Sequence, residues 1–144
     1  MIEFYEAWIL KAQSDLEIAE ITICQGNPMI TDGTIYHTQQ CAEKALKGFL
    51  AYRQSVIRKT HDLVELIGQC AALDPDFESL LEDADDLTPL GTEFRYPDDC
   101  EEIDDVSQLF PTVEEVEAAI AKAKCILDFV KSKISGNAGT EPAG

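Results

Sequence analysis

Apolar residues recur at helical spacing from the beginning of the chain. Between about Glu3 and Cys24 they step by three or four residues and lie on a single stripe, formed by Tyr5, Ile9, Ala12, Leu16, Ala19 and Ile23. Such a stripe is typical of an amphipathic helix that packs one face against a core. The following Gly26, Asn27 and Pro28 predict the end of this helix, because glycine and asparagine accept a left-handed cap and proline cannot continue the helix.

A second helix is predicted to run from Thr31 or Asp32, either of which can serve as its N-cap, to about Arg53. Its buried face consists of Ile35, Ala42, Ala45, Leu46, Phe49 and Leu50, with Cys41 beside them. Glu43 and Lys47 are one helical turn apart, so we expect them to pair on the surface of this helix.

A third, shorter helix is predicted where the apolar pattern resumes, between Leu63 and Leu73, with Thr60 or Asp62 as its N-cap. The sequence DPD at residues 74–76 ends this helix and opens a fourth. The apolar side of the fourth helix consists of Phe77, Leu80, Leu81, Ala84 and Leu87. Residues 88–111 are predicted to be irregular, because three prolines and a glycine interrupt them.

The last predicted helix begins at Thr112, with Glu115 three residues later as a capping box. Its apolar positions keep a heptad-like spacing: Val113, Val116, Ile120, Ala123, Leu127, Val130 and Ile134. No segment shows the alternation of a strand. The sequence therefore predicts an all-α, up-and-down bundle of four to five helices in one domain, residues 1–134, followed by a disordered tail, residues 135–144.

Composition narrows the class of protein. No run of apolar residues is long enough to span a membrane, and the acidic N-terminus lacks the features of a signal peptide. Five cysteines without metal-binding spacing favour reduced thiols in the cytoplasm, and neither a metal nor another cofactor is expected. Cys41 and Cys125 fall in apolar helical patterns, where a thiol is expected to be buried.

Charge is distributed unevenly. The chain has 28 acidic and 11 basic residues, a net charge of −17. Residues 74–105 contain 14 acids and a single base, Arg95, whereas residues 43–59 contain five bases and a single acid, Glu43. Nucleic-acid binders usually present a basic face, so a protein partner is favoured over free RNA. The acidic run DDCEEIDD at 98–105 is expected to be a solvated loop or a docking surface for a basic partner, and it lacks the spacing of a calcium loop.

Two basic side chains are candidates for chemistry. His61, in the run RKTHDL, is able to act as an acid–base group or to bind phosphate, or simply to pack at a helix start. Arg95 is able to clamp an anion with its bidentate fork, or to hold an acidic loop together. His37 is expected to be partly exposed and non-catalytic.

Polar residues of the second helix form a further candidate group. Three- and four-residue steps place Gln40, Glu43, Lys44 and Lys47 on one face. That face hydrogen-bonds with RKTHDL or lines a pocket, or it is a solvated helix surface.

Four stretches together resemble the HEPN domain family, helical bundles named for their presence in higher eukaryotes and prokaryotes and for nucleotide binding. These stretches are AWILKAQSDLEIAE, YHTQQCAEKALKGFL, KTHDLVEL and FRYPDD. The resemblance adds Lys59, Asp62 and Tyr96 to the ligand-binding candidates, beside His61, Arg95 and the polar residues of the second helix. It also implies a homodimer and a minimal nucleotidyltransferase as partner, in some cases as a toxin–antitoxin pair.

Many HEPN proteins are metal-independent ribonucleases with an arginine, four to six other residues and a histidine on one helix. This motif is absent here, because Arg53 precedes His61 by seven intervening residues and Arg58 by two. Three hypotheses follow. The leading one is a nucleotide- or phosphate-binding module that acts with a nucleotidyltransferase. The alternatives are a divergent ribonuclease using His61 and Arg95, and a dimerising scaffold without a ligand.

Overall fold

The computed structural model of the protein describes the backbone of residues 1–93, 97, 102–105 and 108–140, and the side chains of these residues except 89–93 and 137–140. Within them the chain forms five α-helices and no strand. The helices are α1 (Phe4–Ile23), α2 (Thr31–Tyr52), α3 (Leu63–Leu73), α4 (Leu81–Glu93) and α5 (Val113–Thr140). Short 3-10 turns at Pro28–Ile30 and Pro75–Leu80 lead into α2 and α4. The predicted all-α bundle is confirmed.

Helix α2 is the centre of the bundle, since it packs against each of the other four α-helices. Its residues 41–50 are buried almost without interruption. The stripe of α1 packs on it through Ala12, Leu16 and Ala19, and α5 contributes Val116, Ala123, Leu127 and Val130. An aromatic cluster connects α2, the 3-10 turn before α4, and α5. The ring centroids of Phe49 and Phe77 are 4.3 Å apart, and those of Phe77 and Phe129 are 5.0 Å apart.

Gly48 lets α1 and α2 approach closely. A Cβ atom at this position would lie 2.7 Å from Cδ1 of Ile9 and 3.2 Å from Cβ of Trp8. These distances are shorter than ordinary carbon contacts, so a larger residue would push the helices apart. This close packing keeps the Trp8 side chain next to the part of α2 that precedes Gly48.

The helix ends follow the predicted chemistry in three places. Gly26 has a φ of 62° just after α1, as expected for a left-handed cap. Asp62 accepts hydrogen bonds from the N–H groups of Val64 and Glu65 and is the N-cap of α3. The capping box of α5 is formed, since the Glu115 N–H donates to Thr112 Oγ1 over 3.1 Å and Glu115 Oε1 accepts from Thr112 Oγ1 over 3.0 Å.

Other boundaries differ from the prediction. Neither Thr31 nor Asp32 is the N-cap of α2, because the 3-10 turn capped by Asn27 runs directly into the helix and makes Ile30 its N-cap. Irregular chain was expected from Thr88, but α4 continues through Pro89 to Glu93. The fully buried Leu87 and a hydrogen bond from Gln39 Nε2 to the Leu87 carbonyl anchor this part of α4.

Two further differences concern α5. The helix extends to Thr140 and so includes six residues of the expected tail; the boundary between domain and tail stays a prediction. Cys125 is exposed, contrary to expectation, because it lies beside the heptad-like stripe and not on it, whereas Cys41 is buried as expected. No helix in the described residues is both long and apolar enough to cross a membrane.

Candidate functional site

The segment between α2 and α3 returns along α2 and carries His61. A network of hydrogen bonds orders it: Thr60 Oγ1 accepts from the Asp62 N–H over 3.1 Å and donates to Glu65 Oε2 over 3.1 Å. Arg58 Nη1 lies 3.4 Å from the other carboxylate oxygen of Glu65. Together with the cap at Asp62, these bonds fix the backbone on both sides of His61.

His61 is bound to a buried carboxylate of α2. Its Nδ1 lies 2.9 Å from Glu43 Oε1, while Lys47 Nζ lies 3.0 Å from Glu43 Oε2. The side chains of Glu43 and Lys47 are 8% and 9% exposed, and that of His61 is 86% exposed. A carboxylate accepts from Nδ1–H, so this contact selects the tautomer of a neutral imidazole and turns Nε2 away from Glu43.

The aromatic ring of Trp8 lies beside the same cluster. Lys47 Nζ is 5.9 Å from its ring centroid, within the range of a cation–π contact. Lys47 therefore interacts with two groups, the Glu43 carboxylate and the Trp8 ring. This lysine neutralises Glu43 inside the bundle and leaves the imidazole of His61 as the accessible part of the cluster.

A second cluster of the same composition connects α1 to α2. Asp15 is buried on α1, where its two carboxylate oxygens lie 2.7 Å from His37 Nδ1 and 2.7 Å from Lys44 Nζ. The side chain of His37 is 32% exposed, far less than that of His61. The expectation that His37 is partly exposed is confirmed. Because both partners of Asp15 hold α1 on α2, this cluster serves the packing of the two helices.

The comparison with known families covers nearly the whole chain. Residues 5–133 match the HEPN domain family. The chain belongs to this family. No curated protein matches it.

Two solved structures are similar to this HEPN domain. The first is that of TT1696 from Thermus thermophilus, with 29% sequence identity and a TM-score of 0.73; the match covers 92% of this chain and 99% of the other. The second is that of ST0689, described as an archaeal HEPN homologue, with 26% identity and a TM-score of 0.67; it covers 93% and 99% of the two chains.

The HEPN domain divides the predicted polar face of α2 between two clusters. Glu43 and Lys47 face His61, whereas Lys44 faces Asp15. The expectation that Glu43 and Lys47 pair is confirmed, but their expected place on the surface is wrong, because the returning segment and Trp8 cover them. The remaining polar residue of that face, Gln40, is half-buried.

The other predicted site residues have separate places. Lys59 is exposed next to His61, and the carboxylate of Asp62 is occupied as the cap of α3. Arg95 and Tyr96 lie outside the described residues. In the part of the chain that the structure describes, no three histidine, cysteine, aspartate or glutamate side chains are grouped so as to hold a metal ion.

Besides His37, two residues of the clusters, Asp15 and Trp8, were not among the predicted site residues. Asp15 is a single acid between the apolar positions Ala12, Leu16 and Ala19 of α1, and a lone charge within an apolar stripe indicates a buried ion pair. Trp8 gives a weaker signal, because an indole beside such a stripe is also common at the edge of an ordinary core.

Proposed function

We propose that this HEPN domain binds a phosphate group of a nucleotide at His61. The observation that carries the proposal is the contact between a highly exposed imidazole and a buried carboxylate, His61 Nδ1 to Glu43 Oε1 at 2.9 Å. An exposed histidine without such a contact samples several rotamers. Here the carboxylate fixes the ring, so binding a ligand costs less side-chain entropy.

The surroundings of His61 suit an anion. With Nδ1 bound to Glu43, a protonated ring donates its Nε2–H to a phosphate oxygen. Arg58 and Lys59 on the same segment are exposed and add positive charge. Lys47 balances the charge of Glu43 within the bundle, so that Glu43 does not repel a phosphate in full. We further propose that Arg95 and Tyr96 take part in binding the phosphate, Arg95 through its guanidinium fork.

A protein partner is the second part of the proposal. The net charge of −17 opposes binding of free RNA and allows association with a basic protein surface. Together with the family resemblance, this charge supports a minimal nucleotidyltransferase as partner, in a toxin–antitoxin type pair, and a homodimer as the assembled form. Light scattering of the purified chain, alone and mixed with such a partner, tests both assemblies. A monomer in both samples would contradict them.

Calorimetry tests phosphate binding. Pyrophosphate and ADP are each titrated into the wild-type domain, His61→Ala and His37→Ala. His37 is a matched control, because it also contacts a buried carboxylate but belongs to the second cluster. We expect His61→Ala to weaken binding of both ligands about tenfold, an effect of about 1.4 kcal/mol, and His37→Ala to leave binding unchanged. Equal affinities in all three proteins would contradict the proposal.

Metal-independent RNA cleavage is a second candidate function. The Glu43–His61 contact favours it, since a carboxylate that orients a histidine is the arrangement of a general base and its orienting group. In this function His61 exchanges a proton with the 2′-hydroxyl or the leaving oxygen, and Arg95 stabilises the charge on phosphorus. Incubation with several RNAs, with folded His61→Ala as control, tests it. Cleavage that does not depend on His61, or no cleavage, would contradict it.

A further inference from the structure

The outer face of α1 carries a second apolar stripe. Its residues follow one another at steps of three or four positions and are all exposed: Ala7, Leu10, Ser14, Ile18 and Ile21. At about 100° per residue they lie within an arc of about 80°, on the side of the helix roughly opposite its buried positions. The second stripe therefore faces solvent, while the first packs on α2.

Exposed large apolar side chains are concentrated on this helix. Among the described residues α1 carries four of them, α2 and α4 carry one each, and α3 and α5 carry none. Single exposed apolar residues are common and need no partner. A helix with apolar stripes on two opposite faces, however, is typical of a helix that packs on both sides. Leu10 and Ile21 are 56% and 65% exposed, so no described part of the chain covers the second stripe.

The stripe leads into a cavity of about 410 Å³ between α1 and α5. The apolar residues of its lining are Tyr5, Ile9, Leu10 and Ile134, and the polar ones are Glu6, Lys131 and Ser135. Leu10 thus belongs to the stripe and to the cavity. Lys131 Nζ donates to Gln13 Oε1 over 2.6 Å and connects the two helices beside it. The cavity is large enough for one apolar side chain of a partner, such as leucine or phenylalanine.

Acidic residues border the stripe. Besides the buried Asp15, α1 and its N-cap contain a single base, Lys11, and four acids: Glu3, Glu6, Glu17 and Glu20. Glu6 and Glu17 each lie one helical turn before a residue of the stripe. In the described part of the chain none of the four carboxylates forms an ion pair with a basic side chain. The edge of the apolar stripe is therefore negatively charged and attracts a basic surface.

These charges oppose a second copy of the chain on this face. In any relative orientation, two facing copies of α1 bring two sets of the four carboxylates together with only two lysines. Like charges across an interface cost binding free energy. A partner helix with basic flanks makes the same apolar contact without this repulsion. The homodimer proposed above therefore uses another surface.

We infer that the outer face of α1 binds an amphipathic helix of a basic partner protein. The inference rests on the proposed association with a basic protein, and it names the surface and the partner segment. The stripe is about 21 Å long, the length of about four helical turns. The partner helix packs its apolar residues along the stripe and inserts one of them into the cavity. Its lysine or arginine side chains lie toward Glu6 and Glu17.

Two synthetic peptides test the charge of the partner. Both are amphipathic helices with the same stripe of leucines, but one carries lysines beside the stripe and the other carries glutamates. Each peptide is labelled, titrated with the domain and followed by fluorescence anisotropy. We expect the lysine peptide to bind about tenfold more tightly than the glutamate peptide, because several charge pairs of modest strength form along the border.

Serine variants locate the binding. Leu10→Ser and Ile21→Ser remove apolar contact from the stripe and keep the charge, and Val56→Ser, at a position 80% exposed in the segment after α2, is the control. We expect each stripe variant to weaken binding of the lysine peptide about tenfold, the effect of one large apolar side chain. Val56→Ser should bind as wild type. An unchanged thermal transition shows that the variants are folded.

The outcomes distinguish this inference from the proposed function. Lysine-peptide binding that is unchanged in both stripe variants would overturn the α1 site and leave association with a basic partner standing. Absence of binding by either peptide would also overturn the α1 site. Sedimentation equilibrium detects a second copy: a wild-type dimer that Leu10→Ser converts to a monomer would overturn the inference. Pyrophosphate binding at His61 should not change in Leu10→Ser or Ile21→Ser, because the stripe faces away from α2.

Discussion

Glu43 Oε1 lies 2.9 Å from His61 Nδ1, although the two residues are 18 positions apart and belong to different segments. The other oxygen of the same carboxylate holds Lys47 at 3.0 Å. A single buried side chain thus neutralises a buried lysine and orients an exposed histidine. The stability of the bundle and the proposed function both depend on Glu43. Mutation of His61 affects the proposed function alone, so variants at the two positions separate the two properties.

Removal of Glu43 is expected to destabilise the domain far more than removal of His61. Glu43→Ala leaves Lys47 buried without a counter-charge, which costs about 3–5 kcal/mol of unfolding free energy. His61→Ala removes an exposed ring and should cost about 0.5 kcal/mol or less. Urea unfolding, followed by circular dichroism, measures the unfolding free energy of both variants.

A double variant gives the control for this prediction. Glu43→Leu combined with Lys47→Met replaces the buried pair with apolar side chains, and such replacements are often neutral. The double variant should therefore recover most of the stability lost in Glu43→Ala. Equal, small losses for Glu43→Ala and His61→Ala would show that the pair is not buried as described.

The contact between α1 and α2 at Gly48 predicts opposite effects for two glycine substitutions. Gly48→Ala forces Ile9 and the Cβ of Trp8 to move and should cost about 1–3 kcal/mol. Gly68→Ala, in α3, meets no atom within 4 Å and should stabilise the domain by about 0.5–1 kcal/mol through helix propensity. Thermal unfolding of the two variants and the wild type compares their stabilities. A stabilised Gly48→Ala variant would contradict the close packing.

The described cysteines should differ in reactivity. Burial raises the pKa of Cys41 and of Cys70 to about 12 each, with the charge of Asp15 adding to the effect at Cys41. Because the thiolate is the reactive form, neither should be alkylated by iodoacetamide in the folded domain near neutral pH. Cys24 and Cys125 are exposed and should react, Cys125 more slowly, since partial burial and Asp83 raise its pKa. Peptide mass spectrometry before and after addition of urea measures the order in which these cysteines are alkylated. Alkylation of Cys41 in the folded domain would contradict the prediction.

The ion pair between Asp74 and Lys133, at 2.8 Å, predicts a pH dependence. Its hydrogen bond lowers the pKa of Asp74 and raises that of Lys133. The contribution of Asp74 is therefore present above its unfolded pKa of about 3.9 and disappears as the pH falls through the lower folded value. The contribution of Lys133 is complete below its unfolded pKa of about 10.4 and is lost as the pH rises through the higher folded value.

Asp74→Asn tests this dependence and keeps the cap that Asp74 provides for the Asp76 N–H. We expect the variant to be less stable than wild type at neutral pH, and we expect the difference to shrink as the pH falls below the unfolded pKa of about 3.9 toward the lower folded value. Urea titrations at several pH values give the difference. A difference that is constant from neutral to acid pH would mean that the ion pair contributes nothing.

Local chemistry explains why much of the fold was predictable. The apolar stripe of α1, the cap at Asp62 and the capping box of Thr112 and Glu115 depend on residues within a few positions of one another. The end of α4 was not predictable in this way. Its helical state through Pro89 depends on the burial of Leu87 and on Gln39, a distant residue of α2.

The candidate site was predictable only in part, for a related reason. Helical spacing paired Glu43 with Lys47, and RKTHDL marked His61, but spacing alone placed the pair on the surface. The pair is buried because α2 is the central helix, so even its polar face is covered by α1 and by residues 55–61. Hydrogen bonding between this face and RKTHDL was only one of the alternatives left open, because the contact of Glu43 with His61 depends on the return of the chain after Gln54, which no local pattern encodes.

The most direct test of the phosphate site observes the two histidines of the chain separately. Long-range proton–nitrogen NMR spectra of the domain, assigned with His61→Ala and His37→Ala, follow each imidazole during titration with pyrophosphate. A phosphate site at His61 predicts a saturable shift of the Nε2 resonance of His61 and no shift of His37. An unshifted His61, or equal shifts of both histidines, would contradict it.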